Sequence, residues 1–371
     1  MKTKIFAMYL PQYHSIPEND EFWGKGFTDW VCVKKSKSLF LGHKQPKIPL
    51  NEFYYDLSKE DHIKWQVELA QKYGVDALGI YHYWFNNEKN LLTKPAEILL
   101  NNKDLKTGFF FAWDNANWKR SWSNVEGNDW APNAEPSQKK GPIILIPYVL
   151  GNEADWKKHF LSILPYFNDN RYEKVNGKPL FVIFNYSKEI EKMCAYWDSL
   201  ANEYGFPGIY FVFRYQEKLR VPSYLNTFDY QPIAAAWRYK FDIKFFYYYL
   251  IKKMGLSSLK KYDYDVVWKR LLKIAKRKKQ PSEFHGGFVS YDDTPRRGEK
   301  GCVINGSTPK KFEKYLADLL NISAQQKKEF VFITAWNEWG EGAYLEPDSI
   351  NKYEYLDALK RAKESRESFE K

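Results

Sequence analysis

The sequence predicts an α/β protein, a single (β/α)8 TIM barrel occupying residues 1–371 with elaborated loops after its strands. Three observations predict it. Short apolar runs rich in β-formers recur along the chain and number eight. Most are followed by a longer segment with helical spacing, the order of parallel strands joined by helices. The segments directly after the runs are unlike those directly before them, concentrating aromatic rings and hydrogen-bonding groups, which marks one rim of the barrel as functional.

The first strand is expected at residues 5–9. A long loop follows, then a helix at 59–73, where Ile63, Val67 and Ala70 fall on one face and Gly74 supplies the stop. Strand two (77–82) leads to a helix near 95–100 and strand three (109–113). Residues 143–149 read as a spare strand in an excursion before strand four (180–184). A helix at 189–204, stopped by Gly205, precedes strand five (209–213), and 228–231 supplies a short sixth. A long basic helical region leads to strand seven (287–291). A helix at 309–321 and strand eight (330–335) complete the set.

Composition removes several classes. Cys32, Cys194 and Cys302 are odd in number and widely spaced, which argues against a disulfide scaffold, a thiol redox pair or a zinc ribbon. The opening apolar run stops at Pro11, too short for a signal-peptide core, and no run approaches a membrane span. A cytoplasmic location is therefore expected. Lys and Arg number 57 against 46 Asp and Glu, a net charge of +11. Eleven basic residues and two acids lie between Lys252 and Lys279, behind the aromatic run Phe245, Phe246, Tyr247, Tyr248 and Tyr249. A solvated helix face is the first reading of that segment. Peripheral contact with an anionic inner membrane is the second, and nucleic acid is not expected, because no recognised binding fold accompanies the charge.

Aromatic residues make up 18% of the chain, and many fall at the expected strand ends. Strand one ends in Tyr9, strand two in Tyr81, His82 and Trp84, and strand three in Trp113, Asp114 and Asn115. Strand four ends at Asn185, strand seven in Tyr291, Asp292 and Arg296, and strand eight in Trp336, Asn337, Glu338, Trp339 and Glu341. Sugars present C–H faces that stack on rings and hydroxyl edges that bond to amides, carboxylates and guanidinium groups. This mixture suits a carbohydrate cleft, with these residues as candidate substrate contacts.

Glu338 and Glu341 are the candidate catalytic pair. Breaking a glycosidic bond needs a proton donor for the departing oxygen and a second carboxylate as base or nucleophile. The two acids follow the last strand, three residues apart, with Gly340 and Gly342 allowing a tight turn and Trp336 and Trp339 excluding water. Their spacing leaves retention and inversion both open.

The segment FITAWNEWGEGAYLEPD, which begins at Phe332 and closes at Asp348, carries a resemblance, together with MYLPQYH at Met8, WGKGFTDW at Trp23, GIYHYWF at Gly79 and YDDTPRR at Tyr291. The chain resembles, over nearly its whole length, the WbsX-like family of bacterial polysaccharide biosynthesis proteins, itself similar to glycoside hydrolase family 99, the endo-α-mannosidases. The resemblance implies a metal-independent barrel, without cofactor, acting on an oligosaccharide or lipid-linked glycan of O-antigen or capsule. It implies Glu338 as the base that activates the sugar's own 2-hydroxyl, Glu341 as acid/base at the leaving oxygen, and Glu346 in a supporting position. Retention through an anhydro-sugar follows. Gly340 stands where family 99 has histidine.

Two rivals share the chain. A doubly wound nucleotide-sugar transferase should show a Gly-rich phosphate loop or an acidic metal motif. Asp263-Tyr264-Asp265 matches the latter but reads as chance, with no strand expected before it. The other rival is a glycan-binding protein without catalysis on the same barrel.

Overall fold

The computed structural model describes residues 3–119, 144–216, 219, 221–237, 250, 254, 259–278 and 280–367. Eight parallel strands close into a ring: β1 (Lys4–Tyr9), β2 (Ala77–Asn86), β3 (Gly108–Trp113), β4 (Lys178–Ile183), β5 (Tyr210–Arg214), β6 (Asn226–Phe228), β7 (Glu283–Phe288) and β8 (Phe330–Thr334). β1 pairs with β2 on one side and β8 on the other, with Lys4 opposite Phe330, so no edge is left open. The number matches the eight expected, and six of them lie where the sequence placed them.

Among the described residues the α-helices of seven residues or more are α1 (Pro17–Trp23), α2 (Asp29–Lys35), α3 (Glu60–Tyr73), α4 (Lys94–Asn101), α5 (Glu153–Phe167), α6 (Lys188–Glu203), α7 (Tyr264–Arg277), α8 (Pro309–Gln325) and α9 (Glu354–Glu367). From α3 onward these seven cover the outside of the barrel. Residues 215–225, between β5 and β6, show no α-helix among the described residues. Gly74 ends α3 in the left-handed region, φ 86°, as its position predicts.

Every strand is nearly continuous in burial because helices cover one face and side chains fill the other. Phenylalanine does much of the filling. Phe284 and Phe330 stack at 4.1 Å, Phe6 and Phe330 at 4.8 Å, and Phe228 and Phe332 meet at 4.4 Å. Rings of this size pack the interior solidly and leave space only above it, at the C-terminal rim.

Four expectations are corrected. Strand seven is Glu283–Phe288, not 287–291; its glycines and histidine hide it, while Tyr291–Asp292 instead pairs antiparallel with Cys302–Asn305 in a small separate sheet. Strand six is Asn226–Phe228, earlier than 228–231. The loop after β1 is not featureless, since it contains α1 and α2. Finally, a strand, Lys260–Asp263, does precede the Asp-Tyr-Asp triplet, but both acids have structural partners: Asp263 caps α7 at Val266, and Asp265 bonds to Lys311 and Tyr315. Helices α5 and α9 were not anticipated. The spare strand exists as Ile144–Ile146, paired with Trp118–Lys119 off the barrel; residue 143 lies outside the described residues.

In the basic segment, residues 252, 253, 255–258 and 279 lie outside the described residues, as does the aromatic run 245–249. The remainder is largely α7, whose Val267, Trp268 and Leu271 are buried while Lys269, Lys273, Lys276 and Arg277 are exposed. No helix of the described residues is long and apolar enough to cross a membrane. All three cysteines are free and buried.

Candidate active site

β8 ends at Thr334, and the chain then makes a hairpin. Asn337–Glu338 pairs antiparallel with Ala343–Tyr344, and one 3-10 turn, Trp339–Glu341, joins them. Both glutamates are thereby presented on the same wall of a cavity of about 350 Å³. The hairpin is tied to β1 by Asn337, which is fully buried: Leu10 N–H donates to its Oδ1 at 2.7 Å, and its Nδ2 donates to the Leu10 carbonyl at 3.0 Å. Tyr13 hydroxyl donates to the Asn337 carbonyl at 2.7 Å and accepts from Trp339 N–H at 3.0 Å. Asn337→Ala strips both Leu10 groups of partners at roughly 1–3 kcal/mol each. Denaturant unfolding is expected to show a loss of roughly 3 kcal/mol; no loss would mean the hairpin is held by other contacts.

Arg296 stands between the acids. Its Nη1 donates to Glu341 Oε1 at 2.9 Å and its Nη2 to Glu338 Oε2 at 3.2 Å. Behind it, Asp29 at the start of α2 accepts from Nε at 3.2 Å and from Nη2 at 2.9 Å. One cation thus serves three carboxylates. The Glu338 side chain is 5% exposed and that of Glu341 23%. Burial first, then the Glu341 and Asp29 charges, push the Glu338 carboxyl up to about 8 against the opposing pull of Arg296. Among the described residues no group of three or more His, Cys, Asp or Glu side chains is placed to hold a metal ion.

The cavity is lined by both aromatic and polar side chains. Trp23 and Phe27 stack at 5.3 Å, and Trp118 meets Trp23 edge-on at 6.2 Å. Tyr81 and Tyr230 share a hydroxyl hydrogen bond of 2.7 Å. Asp114 and Arg214 also line it, the Asp114 carboxyl raised by burial and drawn back by Arg214.

Of the expected site residues, Tyr81, Asp114, Arg296, Glu338 and Glu341 line this cavity. The others do not. Tyr9 donates to Gln66, beneath the rim. His82 pairs with His159 at 2.8 Å under α5, where burial pushes it down to about 3; Trp84 stacks on His159 at 4.4 Å, and Trp113 donates to the Trp84 carbonyl at 2.9 Å. Asn115 and Asn185 bond reciprocally at 2.7 and 2.8 Å, pinning the end of β3 to that of β4 beside a second cavity. Asp292 accepts from His43, Gln45 and Thr294; burial would raise it, but these bonds hold it low. Tyr291 and Trp336 are buried. Trp339 donates to Glu346 at 2.6 Å, and Glu346 also accepts from Tyr55 and Gln66, so it braces the hairpin from behind, with burial pushing it up to about 7.

The wall also includes Asn19, Trp23, Phe27, Tyr83, Trp118, Arg214 and Tyr230, which were not among the expected contacts. Trp23, Phe27 and Asp29 lie in the segment 23–30, and Tyr83, Trp118 and Arg214 follow strands, so a signal existed for them. Asn19 and Tyr230 carry none.

The fold is thus a closed barrel of eight parallel strands surrounded by helices. The solved GH99 endo-alpha-mannosidase of Bacteroides thetaiotaomicron shares it, with a TM-score of 0.55 at 15% identity over 99% of this chain and 97% of that one. So does a structure described as a glycoside hydrolase-like protein, TM-score 0.58 at 10% identity over 97% and 94%. The chain belongs to the Glycosyltransferase WbsX family, which it matches over residues 5–359. It is also 29% identical to the Uncharacterized protein WxcX of two strains of Xanthomonas campestris pv. campestris, over 98% of its own length and 50% of theirs. The chain therefore spans about half the length of these curated relatives.

Proposed function

We propose that this chain is a carbohydrate-active enzyme that cleaves or transfers a glycosyl unit in a bacterial surface polysaccharide. The observation that carries the proposal is the pair Glu338 and Glu341 on one hairpin, sharing Arg296 and lining a cavity that aromatic rings also line. Rings in the cavity lining supply stacking surfaces for sugar faces, and Asp114 and Arg214 supply partners for hydroxyls.

In this reading Glu338 takes the proton of the sugar's 2-hydroxyl as that oxygen attacks the anomeric carbon, and Glu341 gives its proton to the departing glycosidic oxygen. An anhydro-sugar forms. Water or an acceptor hydroxyl then attacks the anomeric carbon and yields its proton to Glu341, while Glu338 returns its proton to the 2-oxygen. The configuration is retained, and no metal or cofactor takes part. The family's description favours an acceptor hydroxyl over water, and the same two acids serve both.

The pair works with one proton between them, and their coupling makes the limits of activity a property of both. That shared proton, which must sit on Glu341 when the reaction starts, is lost as pH rises through about 8, the value to which burial and Glu341 push Glu338. kcat/KM is accordingly expected to fall with rising pH across that range. An unchanged rate between about pH 7 and 9 would contradict the assignment.

A further inference from the structure

Arg296 has a charged neighbour that the chemistry above does not use. Asp29, whose side chain is 1% exposed, accepts from two of its three nitrogens. Geometry shows that this closeness is built in. A Cβ on Gly340 would lie 2.4 Å from Asp29 Oδ2 and 2.6 Å from Arg296 Nε, so the residue between the two catalytic candidates has no side chain where this ion pair needs the room. α2 carries Asp29 directly against the Trp339–Glu341 turn, and Tyr13 hydroxyl, which already holds the hairpin, reaches Asp29 Oδ2 at 3.4 Å.

We propose that Asp29 is a positioning residue for the two-glutamate chemistry: it fixes the guanidinium plane of Arg296 and neutralises part of its charge, so that Glu338 and Glu341 retain a proton between them. This rests on the function proposed above and deepens it. Without Asp29, a guanidinium facing only two carboxylates would hold both ionised, and no proton would remain for the leaving oxygen. With Asp29, three carboxylates face one cation, and the most buried of the glutamates resists ionisation.

The remaining titratable groups facing the cluster do not take over this role. Tyr13, Tyr81, Tyr83 and Tyr230 around Glu338, and Cys32 beside Asp29, are held neutral by burial. Asp293 near Glu341 has its own partner in Arg297 at 3.1 Å, and Tyr291, also near Glu341, is raised by burial.

The test is a carboxyl titration that needs no substrate. Protein labelled with δ-13C glutamate is titrated by NMR, and the Glu338 signal is identified by its loss in Glu338→Gln. In the wild type it is expected to titrate near 8. In Asp29→Asn the midpoint should fall by about one unit or more, because a negative neighbour is lost and Arg296 is freed to act on the glutamates. Asp29→Ser is titrated alongside and should shift the same way. A midpoint unchanged in either folded variant overturns the proposal. So does failure of both to fold by circular dichroism, which would make the role of Asp29 architectural. Because the signal comes from the carboxyl itself, the outcome is independent of whether the protein turns over any glycan.

Discussion

Glu341→Gln is expected to lower kcat by at least ~10²-fold on glycans with poor leaving groups, while leaving their affinity within a few-fold of wild type. The amide preserves the shape of the side chain, and its carbonyl oxygen still accepts from Arg296 Nη1, a bond of 2.9 Å in the native protein. What it lacks is a proton that can be given to the departing oxygen. Glu338→Gln should fail comparably for the opposite reason, since an amide cannot take the 2-hydroxyl proton. The ring pair Trp23 and Phe27 and the polar lining residues Asp114 and Arg214 remain intact in both variants. Calorimetry and single-turnover kinetics on the same glycan separate the two effects. Binding without turnover by the wild type would identify a protein that holds glycans without altering them, and equal turnover by wild type and Glu341→Gln would exclude Glu341 as the acid.

Gly340→His, which installs the residue found at the matching place in family 99, is expected to destabilise the chain by about 3–5 kcal/mol and to abolish activity. The first atom of the new side chain already collides with Asp29 Oδ2 and Arg296 Nε. Neither can yield cheaply. Asp29 is buried and engaged twice, and Arg296 is engaged by three carboxylates at once. Moving either leaves a buried charge without its partner. Gly340→Ala should show the same loss in smaller measure, by denaturant unfolding and by kcat/KM. A stable, active Gly340→His protein would show that an imidazole and the Asp29–Arg296 pair fit side by side, and that the ion pair places no restriction on this position.

Much of the architecture was legible because a parallel barrel strand is buried on both faces and reads as an unbroken apolar run, as at Phe109 to Phe111 or Leu180 to Ile183. β7 escaped because its interior positions include His285, Gly286 and Gly287, with Gly286 passing so near the Asp229 carbonyl that no side chain fits. The glutamates were legible from their place after the last strand. The rim aromatics were less so, because a strand end alternates its side chains between cavity and helix layer. Tyr81 and Tyr83 point to the cavity, whereas His82 and Trp84 point to His159 beneath α5. Asp29 was hidden for another reason. Its partner Arg296 lies 267 positions away, and only the closed barrel brings the loop after β1 against the segment after β7.

The most direct test of the central claim is mass spectrometry of lipid-linked and polymerised bacterial surface glycans incubated with the purified chain, with Glu341→Gln run in parallel. A gain or loss of one glycosyl unit or oligosaccharide block in the wild-type reaction, absent with the variant, is the expected result. The same mass change with both proteins would contradict a chemistry carried by Glu338 and Glu341.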